Sequence, residues 1–93
     1  MIIENSDYVL EQISDTSLLW DLTFPKVINK GKDNERIEFK DPLYGIPIDN
    51  AKKRIALWRV NKKLDKDNKT TPNNFNILYK QEFDKINKEL INI

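Results

Sequence analysis

LLWDLTF, residues 18–24, sets Leu18, Trp20, Leu22 and Phe24 on one side of an extended backbone and Asp21 and Thr23 on the other. An apolar period of two marks a half-buried strand. Pro25 has no N–H for a ladder, so this strand is expected to reach an edge or a bulge there. Upstream, DYVLEQIS (7–14) alternates loosely, and SDTS (14–17) is a compact polar turn. Downstream, KVIN (26–29) extends the strand. KGKDNE (30–35) is a turn in which Gly31 is free to take positive φ. RIEFK (36–40) then places Ile37 and Phe39 inward. Three antiparallel strands in a meander over residues 1–41 are the economical assembly.

DPLYGIPI (41–48) holds two of the four prolines and one of the two glycines, the composition of an irregular corner. Asp49 can then cap a helix by accepting from free amides two and three residues on. That helix spans 49–64, and DKDNKT (65–70) reads as a loop. Thr71-Pro72 opens a second helix over 71–91, with threonine as cap and proline at the first helical position, where its missing N–H costs nothing. The sequence thus predicts one α+β domain over 1–93: a small three-stranded antiparallel meander followed by two α-helices packed on it.

On a wheel of about 100° per residue, Ala51, Ile55 and Trp58 of the first helix fall together, and Leu57, Val60 and Leu64 fall roughly opposite. Lys52, Arg59 and Lys63 line the side between them, with Ala56 beside them. The pattern predicts a helix with two faces to bury, Trp58 inside, and one apolar stripe (Leu57, Val60, Leu64) available as an oligomer interface. In the second helix Phe75, Leu78, Tyr79, Phe83, Ile86 and Leu90 form a single arc. Glu82 and Glu89 flank that arc one heptad apart, placed to lie beside the basic row if the helices run antiparallel.

Composition excludes several chemistries. The 93 residues contain no cysteine and no histidine. Disulfides, thiolate metal sites and cysteine nucleophiles are therefore out, and so are the commonest general base and metal ligand. DKD (65–67) and KDNE (32–35) lack calcium-loop spacing, and Asp15 and Asp21 have no spacing that makes them a pair. Serines and threonines sit in turns and caps without an activating base. The expectation is a protein that is not an enzyme and needs no cofactor or metal. No apolar run approaches the ~20 residues of a bilayer span, and the N-terminus lacks a signal-peptide pattern, so the expected location is cytoplasmic.

Net charge is only +1, but it is segregated. Residues 1–25 carry five acids and no Lys or Arg, while residues 50–69 carry eight basic residues against Asp65 and Asp67. The basic row is the one patch with a functional look. As a binding strip it would use Lys52, Arg59, Lys63 and Lys62, with Arg59 as anchor because its planar fork holds two oxygens at once. As a solvated face it would be partly neutralised by Glu82, Glu89 or the acidic first 25 residues. Tyr44, on its corner, either docks a partner or closes over the core.

KVINKGKDNERIEFK (26–40), YGIPIDNAKKRIALWRVNKKL (44–64) and TTPNNFNILYKQEF (70–83) together resemble short proteins encoded by phages and prophages of low-GC bacteria. The resemblance implies a small accessory or anti-defence protein acting in the host cell cytoplasm, and no functional residue comes over with it. The functional expectation is a non-enzymatic protein-binding module, in concrete form an anti-CRISPR-like inhibitor whose partner is a host protein or complex. Acidic residues near the N-terminus can mimic nucleic acid to a basic target. Two alternatives stand beside this: nucleic-acid binding through the basic helix face, and a purely structural homodimer or larger homo-oligomer, since small domains with thin cores gain stability by self-association.

Overall fold

β3 (Leu19–Thr23) lies where the alternation placed it, with Trp20 and Leu22 buried and Thr23 and Asp21 half-buried on the other side. Leu18 precedes the strand and is exposed. This is a computed structural model, and it describes residues 1–13, 18–67 and 72–91. Around β3 the described residues form β1 (Ile2–Glu4), β2 (Val9–Gln12), β4 (Pro25–Ile28), β5 (Arg36–Phe39) and β6 (Leu43–Pro47), then α1 (Ile48–Asp67) and α2 (Pro72–Glu89). The protein is α+β, with all strand pairs antiparallel. It divides into two compact units, Met1–Ile48 and Asp49–Ile93.

The three-stranded meander is corrected in the first unit. A four-stranded sheet runs in the order β1-β2-β3-β6, and β4 and β5 form a separate two-stranded sheet. β1 escaped the sequence because three residues show no period. It is held to β2 through the register Ile3↔Leu10 and a turn closed by Asn5 N donating to Tyr8 O at 2.9 Å. The corner at DPLYGIPI is corrected too, for most of it is strand β6.

β3–β4 and β5–β6 are the two arms of one long hairpin. Its pairs run Trp20↔Ile46, Leu22↔Leu43 and Pro25↔Phe39, so the return arm gains one residue between each pair and the next. The gain between Trp20 and Leu22 is a β-bulge with Gly45 at φ 65°, and the gain between the two sheets holds Asp41 at φ 60°. The Lys26 ammonium donates to Asp41 Oδ2 at 2.7 Å and holds that carboxyl below its ordinary range. At the tip, Asn29 and Gly31 take φ 58° and 82°, and Lys32 N donates to Asn29 O at 3.0 Å. Ile37 and Phe39 do not point inward as expected. They are 66% and 39% exposed, and Val27, opposite Ile37, is 50% exposed. No third strand continues the ladder among the described residues, and the ribbon's apolar side is exposed.

In the second unit α1 runs three residues past Leu64, so Asp65–Asp67 are helical rather than loop. Asp49 lies in the first turn, where its charge favours the amide end of the helix. Pro72 is the first residue of α2, as its chemistry requires, while Thr71 lies outside the described residues. Ile86 and Leu90 are buried, and Phe75, Tyr79 and Phe83 stack in a ladder with ring centroids 6.4 and 6.2 Å apart.

Candidate functional site

α1 is buried on two sides, at Ala51 and Ile55 and at Val60 with Ala56, while Leu57 is exposed and Leu64 half-buried. Ala51, Ile55, Ala56 and Val60 are buried, and the arc they span contains the positions of Lys52, Arg59 and Lys63. Of that row, Lys52 and Arg59 are half-buried and the Lys63 side chain is 45% exposed. Two of the row's charges are met by α2: Arg59 Nη2 lies 3.1 Å from Glu89 Oε2, and Lys63 donates to Glu82 Oε1. Advancing along α1 from Arg59 to Lys63 means receding along α2 from Glu89 to Glu82, so the helices pass in opposite senses. This is the alignment that the heptad spacing of the two glutamates anticipated.

Glu82 is a carboxylate in a buried position, 3% exposed as a residue. Burial pushes its pKa up, but the Lys63 ammonium bonded to it, with Lys85 at 3.4 Å, outweighs that and holds it below the ordinary glutamate range. Removing one partner of such a pair strands a buried charge.

Trp58, expected in the core, is half-buried at the edge of the arc, with the Lys62 ammonium 4.8 Å from its ring centroid. On the wheel Trp58 borders the buried Ala51 and Ile55 and stands at the outer rim of that stripe. Lys62 thus sits on an aromatic face, a cation–π contact rather than a free phosphate ligand. Lys52 is half-buried. Of the stripe assigned to oligomerisation, Val60 is wholly buried within the chain, Leu64 is half-buried and Leu57 is 41% exposed. The three do not form one open surface. Tyr44 is 74% exposed and so does not close over the core.

Lys53, which the sequence places near the basic row, and Arg54, which it does not single out, belong to another side of α1. Asn50, Lys53, Arg54 and Leu57, with Tyr79 of α2, line an open groove of about 370 Å³. Lys53 and Arg54 are exposed and have no acidic partner among the described residues, in contrast to Arg59 and Lys63. The groove therefore offers two cationic groups beside an apolar leucine and a tyrosine ring. Only Arg54 lies on the far side of the wheel from Arg59 and Lys63; Lys53 stands beside Val60.

In the first unit, Glu11 and Asp21 are directly opposed on β2 and β3, and Asp21 Oδ1 is buried without a hydrogen bond among the described residues. Asp15 lies outside those residues. No group of three or more His, Cys, Asp or Glu side chains converges among the described residues, and none of their helices is long and apolar enough to cross a membrane. Compared with known proteins, the chain matches no family model, no curated protein and no solved structure.

Proposed function

We propose that this chain is a non-enzymatic protein-binding module. Its concrete form, taken from the resemblance to phage proteins, is an inhibitor that occupies the surface of a bacterial defence complex in the host cytoplasm. The observation that carries the reading is the groove on α1, where Leu57 and Tyr79 adjoin Lys53 and Arg54, two cations that no described acidic group neutralises. An apolar contact rimmed by unsatisfied charge is what a protein partner with acidic and apolar side chains can cover, whereas a small-molecule pocket would enclose its ligand far more.

The nucleic-acid alternative rests on Lys52, Arg59 and Lys63. Arg59 and Lys63 are held by Glu89 and Glu82, and Arg59's side chain is only 14% exposed. Freeing them for phosphates would leave Glu82 buried and unpaired. That weighs against the alternative.

The test is capture from a low-GC bacterial lysate with the wild-type chain and with Lys53→Glu/Arg54→Glu, both positions being exposed and fold-neutral. A partner retained in stoichiometric amount by the wild type and lost by the variant supports the module. No retained protein, or a low-salt gel shift of duplex DNA abolished by the same variant, overturns it.

A further inference from the structure

The outer edge of β5 is a second, independent surface. The β4–β5 ribbon has only two strands among the described residues, so each outer edge presents unpaired N–H and C=O groups. Such an edge is a template for another strand, and proteins usually blunt it with proline or lysine. β4 is blunted in this way, for it begins with Pro25 and Lys26. β5 is not. Its sequence is Arg36-Ile37-Glu38-Phe39, with Ile37 and Phe39 exposed on the same side as Val27.

We propose that β5 pairs antiparallel with β5 of a second copy, about a two-fold axis at Ile37, joining two ribbons into one four-stranded sheet. The register follows from charge. If both apolar sides are to face the same way, the two-fold must fall on a residue and pair positions of equal parity. Centring it on Arg36 sets Arg36 against its own copy. Centring it on Glu38 sets Glu38 against Glu38, and Arg36 against Lys40. Centring it on Ile37 sets Arg36 against Glu38 twice, once on each side of the axis, and brings the isoleucines together. Opposite charges directly across a ladder stabilise it and like charges oppose it. Glu38 already lies between Arg36 and Lys40, whose ammonium is 2.9 Å away and which hold its carboxyl below the ordinary range. The Glu38 side chain is 19% exposed, and that exposed part is what Arg36 of the copy would meet. The contact is isologous and closes on itself, so it yields a dimer and not a filament.

The experiment is sedimentation equilibrium of the full chain over a wide concentration series. The wild type should approach twice the 11.0 kDa of the chain at the upper end. Arg36→Glu makes both flanking positions acidic, and Glu38→Arg makes both basic. Each alone should weaken association by about tenfold or more, and an equimolar mixture should form the heterodimer at wild-type strength, because every opposed pair is then of opposite sign. Circular dichroism of each variant controls for folding, and an unfolded variant cannot produce the rescue. A wild type that stays monomeric throughout overturns the proposal without any variant. So do two variants that dimerise as well as the wild type, or a mixture that associates no better than its parts. Since the groove on α1 is untouched by these substitutions, failure here leaves the protein-binding reading standing, and the reverse holds.

Discussion

The long hairpin has two halves of the same sequence character and opposite fates. Trp20 and Leu22 occupy alternate positions of β3 and are buried, whereas Val27 and Ile37 occupy opposed positions of the same ribbon and are half or more exposed. What differs is the neighbour. β2 runs beside β3 through Leu10↔Leu22 and Gln12↔Trp20, while nothing among the described residues runs beside β4 or β5. Alternation says that a strand has an apolar side; whether that side is covered is decided by chain far away in sequence. The sharpest way to break the contrast is Leu22→Ala, which should cost about 3–5 kcal/mol by lost burial and residual cavity, measured as the shift in urea midpoint. A cost below about 1 kcal/mol would make β3 no more a core strand than β4.

α1 repeats the contrast with charge in place of apolar surface. Arg59 and Lys63 are answered by α2, and Lys53 and Arg54 are not. Lys63→Ala should destabilise by roughly 1–2 kcal/mol, less than a fully buried pair because Lys63 is 45% exposed and Lys85 still reaches Glu82. Lys53→Ala should change stability by less than about 0.5 kcal/mol. The pH dependence sharpens this. Glu82's folded pKa lies below its ordinary value, so its contribution is whole above the ordinary glutamate range and is lost as pH falls through the depressed folded value. Urea titrations at neutral and acid pH should show that loss in the wild type and a flatter profile in Glu82→Gln. An unchanged profile in that variant would show that Glu82 is not the group concerned.

The bulges set where the covered half of the ribbon stops. Gly45 is at φ 65°, and a Cβ built there meets no atom within 4 Å, so any cost of adding one is purely conformational. Gly45→Ala should cost about 1 kcal/mol, seen as a lower thermal midpoint. A neutral result would mean that the bulge relaxes without loss and does not fix the bend.

These elements also show what the sequence could disclose. The strand at 19–23, the positive φ of Gly31, Pro72 at a helix start and the facing of Glu82 and Glu89 towards Arg59 and Lys63 were all legible, because each depends on neighbours within a few residues or on one helix period. Ile37 and Phe39 are expected inward because their alternation is genuine; whether a layer packs on that side leaves no local trace. Trp58 was assigned to the core because apolar residues were taken to define the buried arc. Here Arg59 and Lys63 lie between the buried stripes, where the carboxylates of α2 meet them, and the indole is left at the rim. Lys53 is legible as part of the basic patch, whereas Arg54 and the groove leave no signal, since a cation on a polar helix face looks like any solvated surface.

The smallest expected change in isolated-chain stability is also the most discriminating. Ile37→Asp, at an exposed position, should alter the urea midpoint by no more than about 0.5 kcal/mol in dilute solution. Binding of a second copy stabilises the folded state by mass action, so the wild-type midpoint should climb with protein concentration. In the variant two aspartates would oppose each other across the proposed two-fold, and the midpoint should stay flat. Leu22→Ala, by contrast, should lower the midpoint by the same amount at every concentration, because its cost is contained within one chain. If Ile37→Asp is as costly when dilute as Leu22→Ala, the far half of the ribbon is covered by its own chain, and the distinction between the two halves is lost.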